Sequence, residues 1–141
     1  NDVGLLACQY SDGIQLRILT GDDNINFGSI YENVVAQELY AHGFEGLYYY
    51  NSKKMGELDF VVEINGRVLP IEVKSGKNYQ RHRALNNVLT CDEYNIIEAI
   101  VFCNDNVSVV GKVVYYPIYF MMFLYKEIIP DVKFSLDLKG L

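Results

Sequence analysis

The chain is poor in the residues that build the commonest catalytic and metal centres. Among 141 residues it has three cysteines and two histidines. Cys8, Cys91 and Cys103 are odd in number and far apart, which argues against a zinc site or a disulfide framework. Reduced, buried thiols of a cytoplasmic protein are the expectation. His42 and His82 are too isolated for a histidine metal cluster and read as structural. No phosphate-binding G-x-x-x-x-G-K-[ST] loop occurs. Ser75-Gly76-Lys77-Asn78 lacks its first glycine and its hydroxyl, so the chain does not bind ATP by that device. Long apolar runs are missing too. The longest, Val113 to Tyr125, contains Pro117 and falls short of the ~18 residues a spanning helix wants, so no membrane contact is expected. It reads as core, or as an interface (a homodimer is one option) if its aromatic face is exposed. There is no low-complexity stretch, repeat or signal peptide. The start at Asn1 without Met suggests a piece of a longer chain.

What is present points to one folded domain. Half of the residues are hydrophobic, enough for an adequate core at this length. The formal charge of −6 repels phosphates overall, so any polyanion site must be local. One stretch qualifies. From Val73 to Cys91 there is no acidic residue, while Lys74, Lys77, Arg81 and Arg83 stand there with Tyr79 among them. It is either a solvated helix face or a phosphate-contact surface.

The elements follow from local signals. Leu5 to Cys8 and Ile14 to Leu19, separated by Ser11-Asp12-Gly13, suggest a β-ribbon, and Gly21 to Gly28 a polar loop. Residues 1–28 thus lead into a core over 29–125, and 126–141, with Pro130 to Leu141, form a tail. Ser29-Ile30-Tyr31-Glu32 has the S-x-x-E form of a capping box, opening a helix that buries Ile30, Val34 and Leu39 and stops at Gly43. Leu47 to Tyr50 is expected as a central strand. Tyr79 to Leu89 reads as a helix, Ile96 to Phe102 as a buried strand, and Val107 to Val110 with Val113 to Tyr116 as a strand pair around Gly111. Pro117 to Leu124 turns helical.

The strongest local signal is Asn65-Gly66 between two apolar runs, a two-residue hairpin turn. Paired residue numbers then sum to 131, which sets Ile64 opposite Arg67, Val62 opposite Leu69, Phe60 opposite Ile71 and Asp59 opposite Glu72. The last is a non-hydrogen-bonded pair, with Cα atoms about 4.5 Å apart. Lys74 projects beside Glu72, while Leu58, Phe60, Val62, Leu69, Ile71 and Val73 line the other, core face. Pro70 lacks its donor on the outer side of the strand, which predicts a gap in pairing there. Two acids face to face cost about 0.2–1 kcal/mol, more when shielded from water. Either a divalent cation sits between them, or they form a solvated face that Lys74 partly neutralises.

With Glu32 on a helix, Asp59 on a strand, Glu72-Val73-Lys74 on the next strand and a basic helix after it, the order resembles the PD-(D/E)xK nuclease superfamily, especially its Holliday-junction resolvase-like members. A closer likeness covers nearly the whole chain: Asp2-Val3-Gly4-Leu5-Leu6, Gly28-Ser29-Ile30-Tyr31-Glu32-Asn33, Glu57-Leu58-Asp59-Phe60-Val61 and Pro70-Ile71-Glu72-Val73-Lys74-Ser75 are similar to the DUF4143 domain found at the C-terminus of AAA+-type ATPases. The resemblance implies an α/β, restriction-endonuclease-like core, a central mixed sheet flanked by helices in α-β-β-β-α-β order. It implies an ATPase module preceding Asn1 as partner. It also implies a site in which Glu32, Asp59 and Glu72 hold Mg²⁺ or Mn²⁺ and Lys74 is the catalytic lysine. Leu58 stands where the superfamily name carries a proline. Glu32 has a second explanation as the capping partner of Ser29.

If active, the site would hydrolyse phosphodiesters of DNA, with Lys77 and Arg81 on one helix face touching flanking phosphates and Gln80 standing in for a polar residue on that helix. The alternative is a silent nuclease fold serving partner recognition or regulation of the ATPase.

Overall fold

The computed structural model describes residues 3–9, 12–20 and 27–126. Its centre is a six-stranded open mixed sheet: β1 (Tyr48–Ser52), β2 (Gly56–Ile64), β3 (Arg67–Val73), β4 (Ala99–Cys103), β5 (Ser108–Val110) and β6 (Val113–Pro117), in the spatial order β1-β2-β3-β4-β6-β5. The pairs β1/β2, β2/β3 and β5/β6 are antiparallel, whereas β3/β4 and β4/β6 are parallel. Parallel neighbours need covered faces. Accordingly α3 (Gly28–Ala41) lies with one core, made of Val35, Leu39, Val62, Ile71, Val73 and Phe102, and α4 (Arg83–Leu89) with a second, made of Leu58, Leu85, Val88, Val101, Val113 and Tyr115. From α3 to β4 the order is α-β-β-β-α-β, and the chain has a mixed α/β fold.

The hairpin expectation holds from Ile64↔Arg67 to Phe60↔Ile71. Asn65 and Gly66 both have positive φ, 53° and 75°, as a type I′ turn requires. Pro70 sits where its missing donor is harmless, because the parallel ladder to β4 starts only at Ile71↔Ile100. The β5/β6 pair around Gly111 is also present, and Ile118–Phe123 is a 3-10 helix.

Several expectations are corrected. The N-terminal apolar runs are helices, α1 (Val3–Cys8) and α2 (Asp12–Leu19), not a ribbon. Strand β1 is an edge, not a central strand. Helix α3 begins two residues earlier than the capping box placed it. The Tyr31 amide donates to the Phe27 carbonyl, Phe27 is the N-cap, and no side chain caps it. Glu32 therefore lies in the second turn and is not a capping partner; the residue buried there is Val35 rather than Val34. Gly43 ends the helix as expected: with φ of 91° it donates to the Tyr40 carbonyl while Phe44 donates to that of Leu39, a Schellman closure that buries Phe44. Helix α4 starts at Arg83, since 77–80 form a turn. Of the cysteines only Cys103 is buried, and Cys8 is exposed. The loop at 21–26 and the tail beyond Lys126 lie outside the described residues.

Candidate active site

Two irregularities in β2 shape the site. Tyr48 pairs with Val61 and Tyr50 with Leu58, so Asp59 and Phe60 stand opposite the single Tyr49, a β-bulge. The bulge carries Leu58 through to the α4-side core instead of keeping it with Phe60 and Val62, and both faces of the hairpin are consequently core. It also ends the regular ladder before Asp59. The amide of Val73 donates instead to Asp59 Oδ2, at 2.7 Å. Asp59 and Glu72 are thus neighbours across a splayed hairpin rather than a directly opposed pair.

Glu72 is buried, 5% exposed, with Val101 beside it on β4. Its Oε1 accepts from Lys74 Nζ at 2.5 Å, and its Oε2 is buried with no hydrogen-bond partner. Glu32, the most exposed of the three acids, reaches the same place from α3. Burial pushes the carboxyls of Glu32, Asp59 and Glu72 above their ordinary range. For Glu72 and Glu32 the charge of Asp59 is the next cause; for Asp59 the Val73 amide and Lys74 pull the other way. The three acids and Lys74 form one electrostatically coupled group.

A fourth acid belongs to it. Glu57 raises both Glu32 and Asp59. The i, i+2 spacing of Glu57 and Asp59 on a strand was the sequence signal for it. Lys77, Gln80 and Arg81, in contrast, do not lie on a helix: Lys77 and Gln80 are in the 77–80 turn, Arg81 follows it, and all three are exposed. The one-face spacing expected of Lys77 and Arg81 is not present. A second acid-free turn is brought to α4 by the fold, since Met55 accepts from Asn87 Nδ2 at 2.9 Å and carries Lys53 and Lys54 with it.

His82 is buried under this surface. Its Nε2 lies 2.6 Å from the Tyr115 hydroxyl, and burial holds its imidazole below the ordinary value. His42 is also structural. Its Nδ1 donates to the Leu124 carbonyl at 2.9 Å and its ring packs on Tyr125.

The donor set is all oxygen, which suits a hard divalent cation. The orphaned Glu72 Oε2, which also lacks a proton-donating neighbour, fits such an ion. Among the described residues, however, no three His, Cys, Asp or Glu side chains stand close enough to hold one without moving. The Asp59–Val73 and Glu72–Lys74 contacts are what an ion would have to rearrange.

The sequence model of DUF4143, a domain of unknown function, matches residues 27–121. The chain belongs to the DUF4143 family. The match spans all of α3 and the sheet, and so contains every acid of the site. No curated protein and no solved structure matches the chain. Among the described residues no helix is long and apolar enough to cross a membrane.

Proposed function

We propose that this DUF4143 domain is a nuclease-like module that hydrolyses phosphodiesters of DNA, joined to an ATPase module in its parent chain. The observation that carries the reading is the gathering of Glu32, Asp59 and Glu72 around Lys74, at a bulge in β2 and the end of β3. Four charges of this kind in a half-buried place are costly to keep. Asp59 and Glu72, with Glu32, would hold Mg²⁺ or Mn²⁺, which supplies charge neutralisation at a phosphate oxygen and a more acidic water. Lys74, tied to Glu72, stands where its ammonium can orient the attacking water or meet charge developing on phosphate. The Glu72 carboxylate fixes that ammonium. Lys77, Arg81, Lys53 and Lys54 are exposed on turns flanking α4 and would contact neighbouring phosphates, with Gln80 among them.

A second reading has its own support. One oxygen of Asp59 is engaged by Val73 and Lys74 is engaged by Glu72, contacts that need no ion. A silent nuclease-fold module that recognises a partner or regulates the ATPase would keep it so.

Incubation with supercoiled, branched and single-stranded DNA in Mg²⁺ or Mn²⁺ separates the two. Cleavage by the wild type, falling by about 10²–10³ in Lys74→Ala with the fold intact, is expected. Cleavage unchanged by Lys74→Ala would overturn the mechanism, and no cleavage of any substrate would favour the silent module.

A further inference from the structure

Tyr49 stands beside the acids with its ring in solvent. On β1, an edge strand among the described residues, Asn51 pairs with Glu57, and Tyr49 faces the bulge made by Asp59 and Phe60. Directly paired residues, and residues two apart on a strand, project from the same face of a sheet. Tyr49, Asn51, Glu57 and Asp59 therefore share one face. Tyr49 is 60% exposed, yet its ring is held: the hydroxyl accepts a hydrogen bond from Asn51 Nδ2 at 2.9 Å. An exposed aromatic ring tethered at its tip offers a pre-set surface to a flat partner.

The same strand leads into a basic turn. Lys53 and Lys54 follow Ser52 directly, and both are exposed. Aromatic and basic side chains in close succession are the combination that binds single-stranded nucleic acid, with bases stacked on rings and phosphates on ammonium groups. Charge decides which part of the strand lies where. Glu57 and Asp59 repel phosphates from the neighbourhood of Tyr49 but not an uncharged base, so the backbone belongs over Lys53 and Lys54 and a base over Tyr49. A duplex keeps its base faces inside the stack and has none to offer a tyrosine.

We propose that β1 and the turn after it form a track for single-stranded DNA, with a base stacked on Tyr49 and the backbone on Lys53 and Lys54, so that the acids receive unpaired strands rather than duplex. The proposal rests on the nuclease-like reading and narrows its substrate.

Fluorescence anisotropy of the full chain with a labelled oligonucleotide, single-stranded or annealed to its complement, tests it in EDTA, where no cleavage intervenes. The wild type should bind the single strand about tenfold or more tighter than the duplex. Tyr49→Ala should weaken single-strand binding about tenfold, while Tyr49→Phe, which keeps the ring, should retain most of it. Lys53→Gln/Lys54→Gln should shrink the salt slope by about 1.4. No binding, equal binding of the duplex, or a Tyr49→Ala affinity equal to that of the wild type overturns the proposal. The last result together with a change in oligomeric state on gel filtration would assign the face to a second copy. Tyr49-dependent binding of the single strand with no cleavage once Mg²⁺ is added upholds the track and removes only the hydrolysis.

Discussion

The Asp59 carboxylate accepts the Val73 amide at 2.7 Å, at the point where a regular hairpin would have offered a backbone carbonyl. A side chain thereby closes a gap that the bulge opened, and an acid is held against the strand that bears Glu72 and Lys74. Asp59→Asn keeps an acceptor for Val73 and removes one charge from a crowded group. It should stabilise the fold by about 0.5–2 kcal/mol while abolishing any cleavage, the usual opposition of stability and function at a site. Asp59→Ala leaves the buried Val73 amide unpaired and should cost about 1–3 kcal/mol. Urea denaturation of the two variants checks the pair, and equal effects would contradict the assignment.

The pH dependence follows from the same crowding. The folded state raises Asp59 above 3.8 and Glu32 and Glu72 above 4.5. It therefore binds more protons than the unfolded chain between those values and the raised ones. The contribution of these groups to stability is full below the ordinary values and is lost as pH rises through the raised ones. Denaturation midpoints taken from about pH 4 to about pH 8 should decline less in Asp59→Asn/Glu72→Gln than in the wild type. Parallel curves would show that folding does not raise these carboxyls.

Glu32 no longer has a capping role to explain it. Glu32→Gln should change stability by no more than about 0.5 kcal/mol, as at an ordinary exposed position, yet weaken any response to Mn²⁺. A loss near 1 kcal/mol, as for a missing cap, would restore the structural explanation.

Packing of α4 on β2 depends on Gly56. Its φ is 103°, and a Cβ there would stand 2.8 Å from the Ala84 Cβ. Gly56→Ala should cost about 1–3 kcal/mol, and adding Ala84→Gly should recover only the steric share, because the positive φ remains. Full recovery in thermal denaturation would show that the backbone conformation carries no cost.

Much of this site was legible in the sequence because one turn determines it. Asn65-Gly66 fixed a register that holds for every pair from Ile64↔Arg67 to Phe60↔Ile71. It failed at Asp59, since a bulge depends on how β1 pairs with β2, and that long-range fact leaves no local mark. Glu57 is different: its i, i+2 spacing to Asp59 is a local signal, but the hairpin register sets Glu57 beyond Glu72 rather than opposite it. The short runs of α1 and α2 were misread because six to eight apolar-rich residues do not distinguish a strand from a helical turn. Ser29 and Glu32 have the spacing of a capping box, yet the helix takes its first turn from Phe27 and Gly28, so a local motif lost to the tertiary position of α3. The basic helix dissolved into a turn because Lys77 to Gln80 have no apolar residue to bury at helical spacing except Tyr79, which packs edge-on against Tyr115 instead.

A metal titration tests the central claim most directly. Unfolding of the wild type should shift upward with Mn²⁺ or Mg²⁺, by about 2.7 kcal/mol at a hundredfold excess over the dissociation constant, and the shift should vanish in Asp59→Asn/Glu72→Gln. A wild type indifferent to both ions, or a shift that survives the double substitution, would contradict the assignment of Glu32, Asp59 and Glu72 as a metal-binding site.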